Sequence, residues 1–386
     1  MAILRLFSYQ LLILLINTST GVLITRTSSF EVRANISAVS AWLSFSLIIL
    51  NQSHFEQILR KKDITNHQDW LVRTILLISL SFLAISSLKL TYWIIPIAFL
   101  YMLMNTFVQF RGAHVILIHG NSSYLRLNIF FYLLNLLQTV LLVFFHMLNV
   151  ATWLMASLVA DILLLTLYSC SLKRGNNANS DRIQPSKVKF SSAAVAATLI
   201  DAGIIMIASK FASSRELAFF VVAISCISPM IIMNSVIQNR ILTDPYAFLR
   251  QFSKVNFFLM IPSLLVFSIA YYFFIFFGVA KIFGSNYSSL SDSSLTIIVM
   301  GYLLLIFKVC NTLLRALNFN SESLSFTFLL LSSFSILCAV VPKSDESLIW
   351  SAVLSLTLTL LLLGISYLIR FYFFKGPFQR GSKTQL

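Results

Sequence analysis

The stretch KRGNNANSDRIQPSKVK, Lys173 to Lys189, is the one long polar connection inside this 386-residue chain, and it stands between two apolar halves. Its Gly, Asn, Ser and Pro content predicts a linker. Read backward from Lys173, apolar runs separated by charged or Ser/Asn-rich punctuation predict spans over 6–24, 36–50, 70–87, 92–110, 129–146 and 150–172. Read forward from Lys189, they predict spans over 190–208, 217–237, 255–277, 295–314, 324–341 and 348–374. The second span is short, and the Ser29 to Asn35 segment before it is expected to be a turn that helps complete the crossing. Since roughly 20 residues cross the hydrocarbon core as a helix, the expectation is an all-α integral membrane protein of about 12 transmembrane helices. They would form two six-helix lobes, residues 1–172 and 190–386, with a cytoplasmic linker at 173–189 and a short basic cytoplasmic tail.

Composition agrees. Hydrophobic residues are 58% of the chain and charged residues 11%, with a mean hydropathy of +0.87, from which no water-facing shell can be built. With 35 Phe and 11 Gly, disordered, collagen-like and disulfide-scaffold classes are excluded, and no room is left for an appended soluble enzyme domain. Cys170, Cys226, Cys310 and Cys338 are isolated in or at the ends of apolar runs, so they are expected to be small core residues rather than metal ligands.

The net charge of +15 is read as topology, not as a nucleic-acid footprint. Arg5 precedes the first run as in a signal peptide, but the run continues to Ile24 without a small-x-small cleavage pattern, so a retained helix is expected. With both termini cytoplasmic, 21 of the 28 Lys and Arg fall inside. The remainder, Arg26, Arg33, Lys89, Lys210, Arg215, Lys281 and Lys343, fall outside. Trp93, Trp153 and Trp350 at outer ends and Trp70 at an inner end read as interfacial aromatics.

The halves echo each other. Ser28-Ser29-Phe30-Glu31 is matched by Ser213-Ser214-Arg215-Glu216, and NQSHFEQIL (Asn51 to Leu59) by NSVIQNRIL (Asn234 to Leu242), at nearly equal offsets. Asn105-Thr106-Phe107 has a counterpart in Asn311-Thr312-Leu313. A duplication of six helices would relate the halves by an axis along the membrane normal.

No catalytic or metal constellation converges. His54, His67, His114 and His119 are placed in cytoplasmic turns and His146 alone at an outer end, and HExxH, P-loop and GxGxxG motifs are absent. The chain is therefore expected to be neither an enzyme nor a cofactor binder. Three ionisable residues lie within spans: Asp161, Asp201 and Lys308. A charge at depth costs roughly 2.5–3.5 kcal/mol, so each either clamps helices together, snorkels in the case of Lys308, or faces a water-filled cavity. Both aspartates lie near the midplane in opposite halves, where a transporter would place a coupling or substrate site. Arg26 and Lys210 end spans one and seven at matching offsets, a pair of cations suited to an anion or to interfacial anchoring.

TLIDAGIIMIASKFASSRELAFFVVA (Thr198 to Ala223), KIFGSNYSS (Lys281 to Ser289) and Leu313-Leu314-Arg315-Ala316-Leu317, set in this six-plus-six architecture, resemble the Wzx-type O-antigen and capsule flippases. That family is the polysaccharide branch of the multidrug, oligosaccharidyl-lipid and polysaccharide (MOP) exporter superfamily. Where the family often has a glycine-rich turn after span one, this chain has Thr27-Ser28-Ser29-Phe30. The resemblance implies a MATE-like fold, two lobes around a cationic cavity in the bacterial inner membrane. The implied cargo is an oligosaccharide on an undecaprenyl-pyrophosphate-type lipid, with a polymerase and chain-length proteins as candidate partners. It implies Arg26, Lys210 and Lys308 as substrate-binding candidates and Asp201 or Asp161 for ion coupling. Two alternatives stand beside it: a multidrug or small-solute exporter of the same fold, and a membrane polymerase or glycosyltransferase. The basic bias of the chain favours an anionic cargo over cationic drugs, and the short outer connections disfavour a polymerase.

Overall fold

The computed structural model describes residues 2–59, 94–174, 192–243, 257–317 and 319–373. The predicted third span, the 173–189 linker beyond Arg174, and the basic tail lie outside the described residues. The described helices are α1 (Ala2–Thr27), α2 (Phe30–Leu59), α3 (Ile94–Phe144), α4 (Val150–Arg174), α5 (Ser192–Phe211), α6 (Ser214–Thr243), α7 (Phe257–Phe283), α8 (Ser294–Ala316), α9 (Asn320–Val340) and α10 (Ser347–Phe373). A single 3₁₀ turn, Ser285–Ser291, joins α7 to α8, and no strand occurs among the described residues. Seven segments among them are long and apolar enough to cross a membrane by length and composition: 94–116, 122–144, 150–172, 265–283, 294–316, 321–340 and 347–367.

Two sequence expectations change. The second helix begins at Phe30, not near Ile36, because the Ser29 hydroxyl accepts a hydrogen bond from the Val32 amide at 3.3 Å and Glu31 sits in the positive first turn. Ser29 to Asn35 is therefore mostly helix, and Arg33 moves from a turn into it. The predicted fourth and fifth spans form one unbroken 51-residue helical run, α3. A straight helix of that length would reach about 77 Å, yet a Cβ on Gly112 would lie 2.8 Å from the Tyr124 ring, so the run doubles back between them. His114 and His119 accordingly lie in helix rather than in a loop, and His119 Nε2 is 3.0 Å from the Ser171 carbonyl oxygen.

Helix ends recur at one spacing. Thr27 and Phe211 end α1 and α5, and Phe30 and Ser214 begin α2 and α6, both 184 residues apart. Ser213 and Glu216 close a reciprocal capping box on α6: the Glu216 amide donates to Ser213 Oγ at 3.3 Å, and the Ser213 amide to Glu216 Oε2 at 2.7 Å.

Helices α1 to α4 build one apolar core from residues such as Ile24, Val39, Met102 and Leu154, with a smaller cluster of Val108, Val115, Leu164, Tyr168 and Leu172 between α3 and α4; α5 to α10 build a larger core around Phe219, Phe220, Ile275, Phe307 and Phe334. Close packing in the second core relies on small residues. Gly301 of α8 lets Met230 and Ile227 of α6 approach, and Ser347, Ser351, Ser355 and Thr359 form a buried row on α10. The last three hydroxyls return hydrogen bonds of 2.7–2.8 Å to the carbonyl four residues earlier, so this polar row leaves no group unsatisfied in an apolar setting. Cys226 and Cys338 are buried as expected, but Cys170 is exposed.

Helix α2 joins the two cores. Ile36, Val39 and Leu43 face the first, whereas Ala34 and Ala38 enter the second. At its start the Phe30 ring is 5.8 Å from Phe219 and 5.4 Å from Tyr287, with Phe219 and Tyr287 5.1 Å apart. Arg215 lies over Phe30 at 5.8 Å and Phe219 at 5.5 Å and pairs with Asp345 at 2.8 Å. This aromatic knot closes the bundle at the end where the α1–α2 and α5–α6 turns lie. Gly284, at φ 108°, makes the turn after α7 that carries Tyr287 into it.

Candidate functional site

Between the two helix groups lies a cavity of about 1030 Å³, walled by α1, α2, α3 and α4 and, on the other side, by α5, α6 and Phe283 of α7. Along α4 its lining runs from Trp153 to Tyr168, a depth of about 22 Å at helical rise. The wall is unusually polar for a membrane interior, with Asn, Gln, Ser, Thr and Tyr side chains among its lining.

Among the lining residues one cation and one anion are described: Arg33 and Asp161. Arg33 is 7% exposed, its Nε has no hydrogen-bond partner, and no carboxylate among the described residues pairs with it. Its guanidinium lies beside Gly21, where an added Cβ would be 4.0 Å from Nη2. It is also close enough to Tyr287 to be felt there: burial pushes that phenol up from its ordinary value and the Arg33 charge pulls it down. Asp161 is fully buried, eleven residues into α4. Its Oδ2 accepts a hydrogen bond from Asn105 Nδ2 at 3.1 Å, while Oδ1 has no partner. Tyr101, Tyr132 and Tyr168 are close enough to interact with its charge; Tyr124 stacks on Tyr168 at 6.0 Å, and the Tyr168 hydroxyl donates to Asn128 Oδ1 at 3.3 Å.

The residues expected from sequence divide. Asp161 lines the cavity. The side chain of Asp201 lies outside the described residues, although its backbone is in α5 and its neighbour Ala202 is on the wall. Arg26 and Lys210 are exposed in the last turns of α1 and α5 and are not on the wall. Lys308 is buried within α8, 6% exposed, and does not line the cavity either; the carbonyl of Lys308 accepts from Thr312. Trp153, expected at the membrane interface, is turned into the cavity, while Trp350 is exposed near the start of α10.

Sequence reasoning passes over Arg33 because it reads as one more outer-turn cation. Its position at the equivalent of Leu217, at the 184-residue offset, offers no repeat partner; only the Ser29 cap signals that it is helical. Asn105 could have been found through its echo Asn311: Asn105 is half-buried against Asp161, and Asn311 is buried, accepting from Ser323 Oγ and donating to Thr327 Oγ1 at 3.2 Å.

Fold and site together define a multi-pass helical membrane protein with a polar cavity between two helix groups. No family model and no curated protein matches the chain. Solved structures do. The lipid II flippase MurJ in its inward closed conformation superposes with a TM-score of 0.65 at 11% identity, over 94% of this chain and 87% of that one. An inward-facing multidrug resistance MATE family transporter of the MOP superfamily gives 0.58 at 11% identity over 92% and 95%. The MATE multidrug transporter DinF-BH, in a ligand complex, gives 0.55 at 15% identity over 95% and 94%. The chain has the fold these proteins share.

Proposed function

We propose that this chain is a flippase that carries a polyprenyl-pyrophosphate-linked oligosaccharide, of the O-antigen or capsule repeat-unit kind, from the cytoplasmic to the outer leaflet of the bacterial inner membrane. It works by alternating access with ion coupling. In this reading residues 1–172 and 190–386 act as two lobes, and the linker and both termini are cytoplasmic. Arg33 carries the proposal. A buried guanidinium without a counter-charge is strongly unfavourable, and a pyrophosphate entering the cavity would relieve that cost through bidentate, charge-assisted hydrogen bonds. Arg26 and Lys210, exposed at helix ends, are candidates for a further contact at the mouth. Asp161, titratable at mid-depth with one oxygen free, is the first candidate for the coupling ion, and Asp201 the second.

The test is a deletion strain carrying variants at matched membrane abundance. Arg33→Gln is expected to leave lipid-linked repeat units on the cytoplasmic side and lower surface polysaccharide at least about tenfold, while Arg33→Lys keeps part of the function because charge survives without the fork geometry. Full clearance by Arg33→Gln would overturn the anion role. A second reading, export of an organic cation, draws on Asp161 among tyrosine faces, a setting that suits cation–π binding. Asp161-dependent efflux of ethidium from a sensitive strain would favour it.

A further inference from the structure

The amide and phenol groups on the cavity wall fall into two sets. Asn105, Asn128 and Tyr168 are tied to protein: Asn105 to Asp161, Tyr168 to Asn128, and Asn128 Nδ2 to the Tyr124 carbonyl oxygen at 3.1 Å. The amides of Asn17, Gln109 and Asn135 and the hydroxyls of Tyr101 and Tyr132 also line the cavity, but none makes a side-chain hydrogen bond among the described residues. Inside a membrane protein such groups are costly unless water or a ligand meets them. Five neutral donor–acceptor side chains are more than a pyrophosphate needs, and the three amides among them offer nothing to an apolar cation. They carry hydrogen-bonding capacity in both directions, and the two phenol rings add flat apolar faces. An uncharged polyhydroxylated ring, with hydroxyls around its rim and C–H groups on its faces, matches that set.

We infer that Asn17, Gln109, Asn135, Tyr101 and Tyr132 form a recognition site for the uncharged saccharide part of the cargo, distinct from the anion position at Arg33. The inference rests on the flippase reading and adds to it the class of group recognised deeper in the cavity. Measured along their helices, Arg33 lies about 5 Å from the start of α2, whereas Asn17 lies about 15 Å and Asn135 about 14 Å from the corresponding ends of α1 and α3. A cargo with its pyrophosphate at Arg33 therefore has its sugars beside these amides. A site built to hydrogen-bond hydroxyls discriminates strongly against a ligand lacking them, because its own groups are then left unpaired.

The experiment measures equilibrium binding to the detergent-purified full chain of two probes, a bare polyprenyl pyrophosphate and the same lipid bearing a neutral disaccharide. Wild type is expected to bind the disaccharide-bearing lipid at least about tenfold more tightly. The double variant Asn17→Ala/Asn135→Ala should bring that lipid down to the affinity of the bare one, and Tyr132→Phe, which removes only a hydroxyl, should fall between. Arg33→Gln should weaken both lipids by a similar factor. Equal binding of the two lipids by wild type, or a tenfold preference retained by a double variant with an unchanged melting temperature, would overturn the saccharide site. The flippase reading fails in a different way: neither lipid binds, or Arg33→Gln weakens neither.

Discussion

At Asp161 a single carboxylate separates a structural clamp from a coupling group. Oδ2 is held by Asn105 and Oδ1 is free, so Asp161→Asn keeps the shape and one hydrogen-bonding oxygen while removing the titratable charge. If Asp161 couples transport to an ion, the Asn variant accumulates normally, loses at least about tenfold in lipid-linked unit clearance, and its residual activity no longer responds to an uncoupler. Wild-type clearance with a normal uncoupler response would make Asp161 a clamp and pass the role to Asp201. The residue types at this scale were legible in the sequence, because a charge inside an apolar run stands out. The environment of each was not. Lys308 and Asp161 look equivalent along the chain, but one is buried within the C-terminal helices and the other opens on the cavity, and only the direction of each helix face distinguishes them.

Helix packing explains what the apolar runs left open. Gly301 looks like an incidental small residue in a long apolar span; in the structure an added Cβ would lie 2.6 Å from Met230 Sδ and 3.0 Å from Ile227 Cγ2. Gly301→Ala is expected to cost about 1–3 kcal/mol by overpacking, seen as a lower melting temperature in detergent. Gly364→Ala, on an exposed part of α10 with nothing within 4 Å of its Cβ, should melt close to wild type, and equal behaviour of the two would contradict this account of the α6–α8 contact. Helix α2 shows a second limit. It packs Ala34 and Ala38 on one side and Ile36, Val39 and Leu43 on another, with Arg33, Ser37 and Ser40 on the cavity. A helix with three different environments has no single apolar stripe, and for that reason its apolar pattern begins later than the helix does.

For the whole molecule, the aromatic knot of Phe30, Phe219 and Tyr287 is, with the packing of Ala34 and Ala38, a contact that must part if the cavity is to open at the α1–α2 end. With the native cysteines replaced, Phe30→Cys and Tyr287→Cys joined by a short bis-maleimide should stop transport in the deletion strain, while either single variant treated alike stays active. Undiminished transport in fully cross-linked protein would mean that the helix groups do not separate there. The multi-pass, all-helical architecture followed from the sequence alone, because burial in lipid demands long apolar helices whose backbone groups satisfy one another. Which polar side chains meet was decided only by tertiary structure. Arg33 comes from α2, Asp161 from α4 and the free amides from α1 and α3, and they face one cavity because α2 packs Phe30, Ala34 and Ala38 against the second helix group. Apolar periodicity records whether a residue faces lipid or protein, but a residue facing protein can meet either a packed neighbour or a water-filled space, and that choice belongs to the arrangement of the other helices.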